Sequence, residues 1–474
     1  MHTNRTKIIA TIGPASSSAA IIRQCIAAGV NIFRINFSHS SHSDAEKVAG
    51  RIRKISKELQ LPVGIMGDLQ GPKIRIGRLL GGSHYFKEGA NAMFVPKQEA
   101  VIDDEIPLPE RECFEAIAAG DHIVLGDGEI SLEILEKNEK YAQAKIINEG
   151  MLRSYKGFHI PGKVLDLKGH LDKDKQDFLF CLEKDFDFVL VSFVQNAPDL
   201  LVFKELAGKQ AKDILLGAKI ETRSSIANLD AIIGAADFVV AARGDLAIET
   251  SYYSVPVFQK EILKKANQAG IPAVVATQML ESMIRNEEPT RAEISDIANA
   301  VLDSADALLL SGETAVGKYP VQAIQMLQST ITYTEQWQRQ HRRGPFRELC
   351  SDDRVADAIS KGAMIAGNEI KAKGLICTTN TGKTARLLSR YRPDSPILAF
   401  TYNENVLHRL VLFWGVCPFH ITYREKPEQL IDESMDKARR ILSLVPGDYV
   451  IYTAGLEVDS RSPKTNFMYI RKIT

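Results

Sequence analysis

The sequence predicts an α/β protein: a (β/α)8 TIM barrel with an inserted β-barrel lid domain and a C-terminal α/β domain. Three observations carry this reading. Eight short β-branched or aliphatic runs alternate with longer helical segments. The third run leads into turn-rich β patterning instead of a helix. A fresh α/β alternation opens near Arg342-Arg343-Gly344-Pro345. The 474 residues are enough for three domains, at roughly 100–200 residues each.

The eight runs are Lys7–Ile12, Val30–Asn36, Val63–Asp68, Phe188–Val194, Ile214–Glu221, Phe238–Ala242, Ala273–Thr277 and Ala307–Leu310. They are continuously apolar rather than alternating, as strands of a parallel sheet covered by helices should be. Between them lie helical stretches such as Ser18–Ala28, Ser43–Leu59, Ser224–Ile233, Val257–Ala269 and Pro289–Leu302, with Gly29 and Gly270 as stop signals. After Asp68, Gly71-Pro72 opens a stretch in which glycine turns separate short strands such as Ile123–Leu125, Ile130–Leu135 and Tyr141–Ile147. The delayed third helix follows near His170–Asp185. The expected domains are therefore the barrel at 1–69 and 169–344, the lid at 70–168, and the C-terminal domain at 345–474. In the last, helix Val355–Lys371, strand Leu375–Thr378, helix Thr384–Tyr391, strand Pro396–Thr401, helix Glu425–Leu442 and strands Tyr449–Thr453 and Phe467–Lys472 are expected.

Composition excludes several classes. With 59 basic and 59 acidic residues the formal charge is zero, unlike a dedicated nucleic-acid binder. Six cysteines, scattered without a close pair, argue against a disulfide framework or zinc ribbon and fit reduced thiols of a cytoplasmic protein. No signal h-region or membrane-length apolar run is present.

Catalytic groups of such a barrel project from the C-terminal strand ends, and polar residues collect there. The second run ends in Arg34-Ile35-Asn36, the third in Asp68, the fifth in Lys219-Ile220-Glu221. The sixth runs into Arg243-Gly244-Asp245, the seventh into Thr277, the eighth into Ser311-Gly312-Glu313. Any one of these alone reads as a solvated strand end or a turn; their recurrence at six ends predicts a shared active site. Because strand side chains alternate, Arg34 and Asn36 face one way, as do Lys219 and Glu221. Glu221 and Asp245 are the carboxylate pair available for a hard cation, Mg2+ (or Mn2+). Arg34, Arg75 and Lys219 supply positive charge, although Lys219 could simply pair with Glu221. Gly244 and Asp245 offer backbone N–H groups to a carboxylate or phosphate. Cations around a carboxylate-held metal are the equipment of phosphoryl transfer, with the insertion as a lid that excludes water.

Two further stretches are ambiguous. Thr379-Asn380-Thr381-Gly382-Lys383-Thr384 ends like a P-loop, but Cys377 stands where the motif requires glycine. It is either a phosphate nest at a helix N-terminus or an ordinary capped loop. His39 and His42 lack a third ligand nearby and read as loop residues near a phosphate rather than as core.

Thr6–Pro14, Phe33–His39, Gly67–Arg75, Ala218–Thr222, Ala242–Leu246, Ala276–Met283 and Asp306–Ala315, in this order, resemble the pyruvate kinase family over nearly the whole chain. The resemblance implies phosphoryl transfer from phosphoenolpyruvate to ADP, giving pyruvate and ATP. It implies Arg34 on the phosphoryl group, Lys219 neutralising charge in flight, Glu221 and Asp245 on Mg2+, and Gly244, Asp245 and Thr277 on the substrate carboxylate. Thr277 also stands where the enolate is protonated. Asn36, Phe37, Ser38, His39, Arg75 and Lys156 match nucleotide-phosphate contacts, and Asp127 a lid-tip turn. Asn36, Ser38, Asp68 and Leu69 match the family's K+ site. Lys73 replaces the acidic residue of potassium-dependent members, which implies that its ammonium stands in for K+ and that no K+ is required. Thr379 to Thr384 match the effector loop, implying a sugar-phosphate or nucleoside-monophosphate activator, and the family implies a homotetramer. The rival readings are a Mg2+-dependent barrel lyase of pyruvate or phosphoenolpyruvate, and a non-catalytic metabolite-sensing paralogue.

Overall fold

A computed structural model describes residues 4–72, 74–126, 128–163, 168–341, 353–424, 426–455 and 465–474. Lys73, Asp127 and the expected junction at Arg342–Pro345 lie outside them. Eight parallel strands close a barrel: β1 (Lys7–Thr11), β2 (Ile32–Asn36), β3 (Gly64–Asp68), β4 (Phe188–Val191), β5 (Leu215–Ile220), β6 (Phe238–Ala242), β7 (Ala273–Ala276) and β8 (Ala307–Leu310). Each pairs with its chain neighbour, and β8 pairs with β1 through Lys7 opposite Ala307. This is the ring that eight buried apolar runs predict.

The interior explains the spacing. Ile9, Ile32, Met66, Phe188, Leu190, Phe238, Val240, Val274 and Leu309 form one buried cluster, which Val411 and Leu412 of the C-terminal domain join. Gly217 is required where it stands, because a Cβ there would lie 2.2 Å from the Phe238 ring. Apolar layers thus fill the body of the ring. The next inward positions toward the C-terminal ends, two residues on, carry Arg34, Asp68 and Lys219.

Helix α1 (Ala19–Ala28) begins at Ser18, whose hydroxyl accepts the Ile21 N–H, and stops at Gly29 with φ 118°. Helix α2 (His42–Leu59) starts at the Ser41 cap. The delayed helix α3 (Lys168–Glu183) follows the insertion as expected. The expected helix Ser224–Ile233 is two pieces, Arg223–Ala227 and Leu229–Ala235, parted at Asn228.

Where the sequence predicts a β barrel for the insertion, its strands hydrogen-bond as a six-stranded and a separate two-stranded sheet around one apolar core. The C-terminal domain is a five-stranded sheet ordered β11-β10-β9-β12-β13: β9 (Gly374–Thr378), β10 (Ile397–Thr401), β11 (Val416–His420), β12 (Tyr449–Ala454) and β13 (Phe467–Lys472). Sequence reading missed β11. Pro418 removes a donor there and suits only an edge strand, and β11 is one, pairing with β10 alone.

Candidate active site

The barrel mouth holds a cavity of about 150 Å³ lined by Arg34, Asn36, Ser38, His39, Asp68, Leu69, Arg75, Lys219, Glu221, Asp245 and Thr277. The ends of β2, β3, β5, β6 and β7, or the loops just beyond them, supply all of these groups but Arg75, which the insertion supplies.

A continuous polar chain runs across the floor. Thr11 Oγ1 accepts a hydrogen bond from Arg34 Nη1 at 2.8 Å, and Arg34 Nε donates to Asp68 Oδ2 at 2.7 Å, with Nη2 on the same oxygen. The Ser192 hydroxyl donates to the Leu69 carbonyl at 2.7 Å and to Asp68 Oδ1 at 3.3 Å. Lys219 Nζ donates to Ser192 Oγ at 3.1 Å. It lies 3.9 Å from Asp68 Oδ1 and 2.7 Å from Glu221 Oε1. Glu221 Oε2 accepts the Phe193 N–H at 2.7 Å. Ser192 was not singled out from the sequence, although it is the one polar residue at the end of the fourth apolar run.

Burial pushes the Lys219 ammonium toward neutrality, but the carboxylates of Asp68 and Glu221 outweigh it, and its pKa lies above the ordinary lysine value. Burial also pushes the Glu221 carboxyl upward. Lys219 offsets this in part, and the neighbouring Asp245 adds to it. A divalent cation between Glu221 and Asp245 would relieve that cost. Glu221 Oε1 is buried without a well-aligned hydrogen bond, since Lys219 approaches it outside hydrogen-bonding geometry. A buried hard oxygen in one cavity lining with a second carboxylate suits an oxygen-seeking ion. No group of three or more His, Cys, Asp or Glu side chains disposed to hold a metal occurs among the described residues.

On the far wall, helix α4 (Arg243–Glu249) starts directly from β6. Arg243 is structural: its Nη1 pairs with Asp296 at 2.7 Å and its Nη2 holds the Thr277 carbonyl at 2.6 Å. Thr277 has φ 69°, a strained setting for a β-branched residue, and its hydroxyl accepts the Gly244 N–H at 2.9 Å. Glu313 is also structural, accepting the N–H groups of Leu280 and Ser311.

Other candidates fall elsewhere. Phe37 is buried against Phe180 and Phe186, so only its backbone faces the loop. His42 stacks on Phe180 at 4.2 Å and meets Asp177 at 2.7 Å, away from the cavity lining. Lys156 sits in the lid, 2.8 Å from Glu129, whereas Arg75, which does line the cavity, donates to the Tyr155 carbonyl at 2.9 Å. Thr379 to Thr384 join β9 to the helix Lys383–Arg390 in the third domain. There Gly382 (φ 84°) donates to Thr379 Oγ1 at 3.0 Å, Thr384 meets the Thr465 hydroxyl at 2.7 Å, and Lys383 meets Asp353 at 2.6 Å. Asn380 and Thr381 are exposed.

Residues 3–324 match the pyruvate kinase barrel domain and residues 357–471 its alpha/beta domain. The chain belongs to the pyruvate kinase family. Among its relatives, the pyruvate kinase of Geobacillus stearothermophilus is 37% identical over 99% of this chain and 80% of its own length. Pyruvate kinase 2 of Synechocystis sp. is 38% identical over 95% of this chain and 76% of its own length. A pyruvate kinase of Agrobacterium vitis is 37% identical over 99% and 97%. The pyruvate kinase barrel and alpha/beta domains thus coincide with the closed ring and the five-stranded sheet. No described helix is long and apolar enough to cross a membrane.

Proposed function

We propose that the protein is a phosphotransferase that moves the phosphoryl group of phosphoenolpyruvate to ADP, forming pyruvate and ATP in the last step of glycolysis. The observation that carries this reading is the juxtaposition of Arg34, Lys219, Glu221 and Asp245 around one cavity, two cations against two carboxylates. The P–O bond to the enol oxygen breaks, the bond to the terminal ADP oxygen forms, and a proton is added to the enolate carbon. Arg34 and Lys219 neutralise the phosphoryl oxygens as that charge moves. Gly244, Asp245 and Thr277 receive the substrate carboxylate, and Thr277 delivers the proton, through water where its hydroxyl does not reach. Glu221 and Asp245 would hold Mg2+ or Mn2+, which supplies Lewis-acid stabilisation of the same charge when bound. Asn36, the Phe37 backbone, Ser38, His39, Arg75 and Lys156 serve the nucleotide phosphates.

Finer assignments belong to the same reading. Asn36, Ser38, Asp68 and the Leu69 carbonyl would form a monovalent-cation position, with Lys73 filling it in place of K+. The Thr379–Thr384 loop would take a sugar phosphate or nucleoside monophosphate as activator of a cytoplasmic homotetramer. Domain limits of 1–69 with 169–344, 70–168 and 345–474 are proposed with it. A coupled assay for pyruvate, run with and without ADP, tests the reading: pyruvate formed without ADP would identify a lyase, and none under either condition a non-catalytic paralogue.

A further inference from the structure

The far end of α4 touches the lid. Glu249, its last residue, is half-buried, and its carboxylate stands near the backbone N–H of Gly162 in the lid's returning segment, without a well-aligned hydrogen bond to it. Both line a cavity of about 340 Å³ between lid and barrel. Three residues on, Tyr252 is 70% exposed, yet its hydroxyl lies against the lid backbone at Gly128: a Cβ there would come within 2.8 Å of it. Gly128 has φ 91°, so the lid presents bare backbone to that hydroxyl.

These contacts reach parts of the lid that are tied to the site. Phe158–His159, just before Gly162, pairs with the lid strand His122–Leu125. Arg75 bridges to Gly157 next to Lys156, and Lys156 pairs with Glu129, the residue after Gly128. A pull on Gly162 and Gly128 therefore sets where Arg75 and Lys156 stand. At its other end α4 is fixed by the Arg243–Asp296 pair and carries Gly244 and Asp245.

We propose that Glu249 and Tyr252 are positioning residues that latch the lid to α4, coupling lid placement over the nucleotide side to the helix that carries Gly244 and Asp245. Neither residue lines the catalytic cavity. The proposal rests on the phosphoenolpyruvate–ADP reading for its kinetic arm only.

The test uses the full chain with Glu249→Ala, Glu249→Gln and Tyr252→Ala, measuring amide hydrogen exchange of the lid and initial rates with ADP and phosphoenolpyruvate varied separately. Glu249→Ala should speed exchange around Gly162 and raise KM for ADP by about ten-fold, the scale of a lost polar contact to a charged group. KM for phosphoenolpyruvate should change much less. Glu249→Gln keeps an acceptor oxygen without the charge and should restore both readouts in part. Tyr252→Ala, on the surface, should speed exchange around Gly128, and it carries the test if Glu249→Ala does not fold. Unchanged lid exchange in both alanine variants would overturn the latch, as would equal rises in the two KM values. Absence of ADP-dependent pyruvate formation by the unaltered protein would defeat the functional reading instead, and the exchange arm would still decide the latch.

Discussion

Lys219 Nζ and Glu221 Oε1 stand 2.7 Å apart at the end of β5, with the Glu221 side chain fully buried. They share a face because two residues separate them on one strand. The pair is compact but poorly aligned, so neither group is saturated by the other: Lys219 also reaches Ser192 and Asp68. A lysine so placed can turn to an anionic substrate once a cation takes the carboxylate.

Replacing Lys219→Met keeps most of the side-chain volume and removes the charge. Turnover should fall on the order of 10³-fold, the upper cost of losing one preorganised charge-stabilising donor, while KM for phosphoenolpyruvate moves little. Steady-state kinetics together with a thermal melt check it, and a near-normal kcat would refute the role.

Glu221→Gln should weaken Mn2+ binding by at least the roughly 10–100-fold that even outer-shell changes cost at metal sites. Titration of Mn2+ by electron paramagnetic resonance reads this without reference to activity. Unchanged Mn2+ affinity would remove Glu221 from the ligand set.

If Lys73 supplies the monovalent charge, turnover in buffer free of sodium and potassium should match turnover with added KCl. Lys73→Glu should lose activity in that buffer and regain it when KCl is added. A requirement for KCl in the unaltered protein would end the idea.

Asp174 on α3 accepts the Gly71 N–H at 3.0 Å, at the point where the chain leaves the barrel for the lid. Burial raises its carboxyl from 3.8 to about 6, against the pull of that hydrogen bond. The folded state therefore holds the proton more tightly than the unfolded chain. The resulting stability is full below pH 3.8 and is lost as pH rises through about 6. Asp174→Asn keeps an acceptor without the charge. Its stability relative to the unaltered protein should rise across that window, by up to about 3 kcal/mol. Denaturant unfolding at pH 4, 5, 6 and 7 would show it; a pH-independent difference would contradict the shifted carboxyl.

Much of the site was legible because strand ends of a parallel barrel share one mouth. Arg34, Asp68, Lys219, Glu221, Asp245 and Thr277 are separated widely in sequence, yet each follows an apolar run of strand length. Ser192 was missed because a lone serine after Phe188–Val191 carries no signal until Lys219 and Asp68 are seen to bracket it. Arg243 and Glu313 stood in the same polar positions as the site residues. Only their partners, Asp296 and the Leu280 and Ser311 amides, identify them as supports. His42 reads as a loop residue near a phosphate and Phe37 matches a nucleotide-phosphate contact, but Phe180 on the delayed helix takes both side chains into an aromatic cluster.

Local pattern by itself determined the eight strands, their order, the insertion after the third and the face on which Lys219 and Glu221 lie. These follow from hydrophobic period and glycine placement, which act between near neighbours in the chain. Tertiary structure alone decided that Arg34 is gripped by Asp68, that Thr277 is held at positive φ beside the Gly244 amide, and that the Tyr252 hydroxyl meets the lid backbone at Gly128. Each of those is a short-range polar contact between distant segments, and its energy depends on distances that only ring closure and lid docking set.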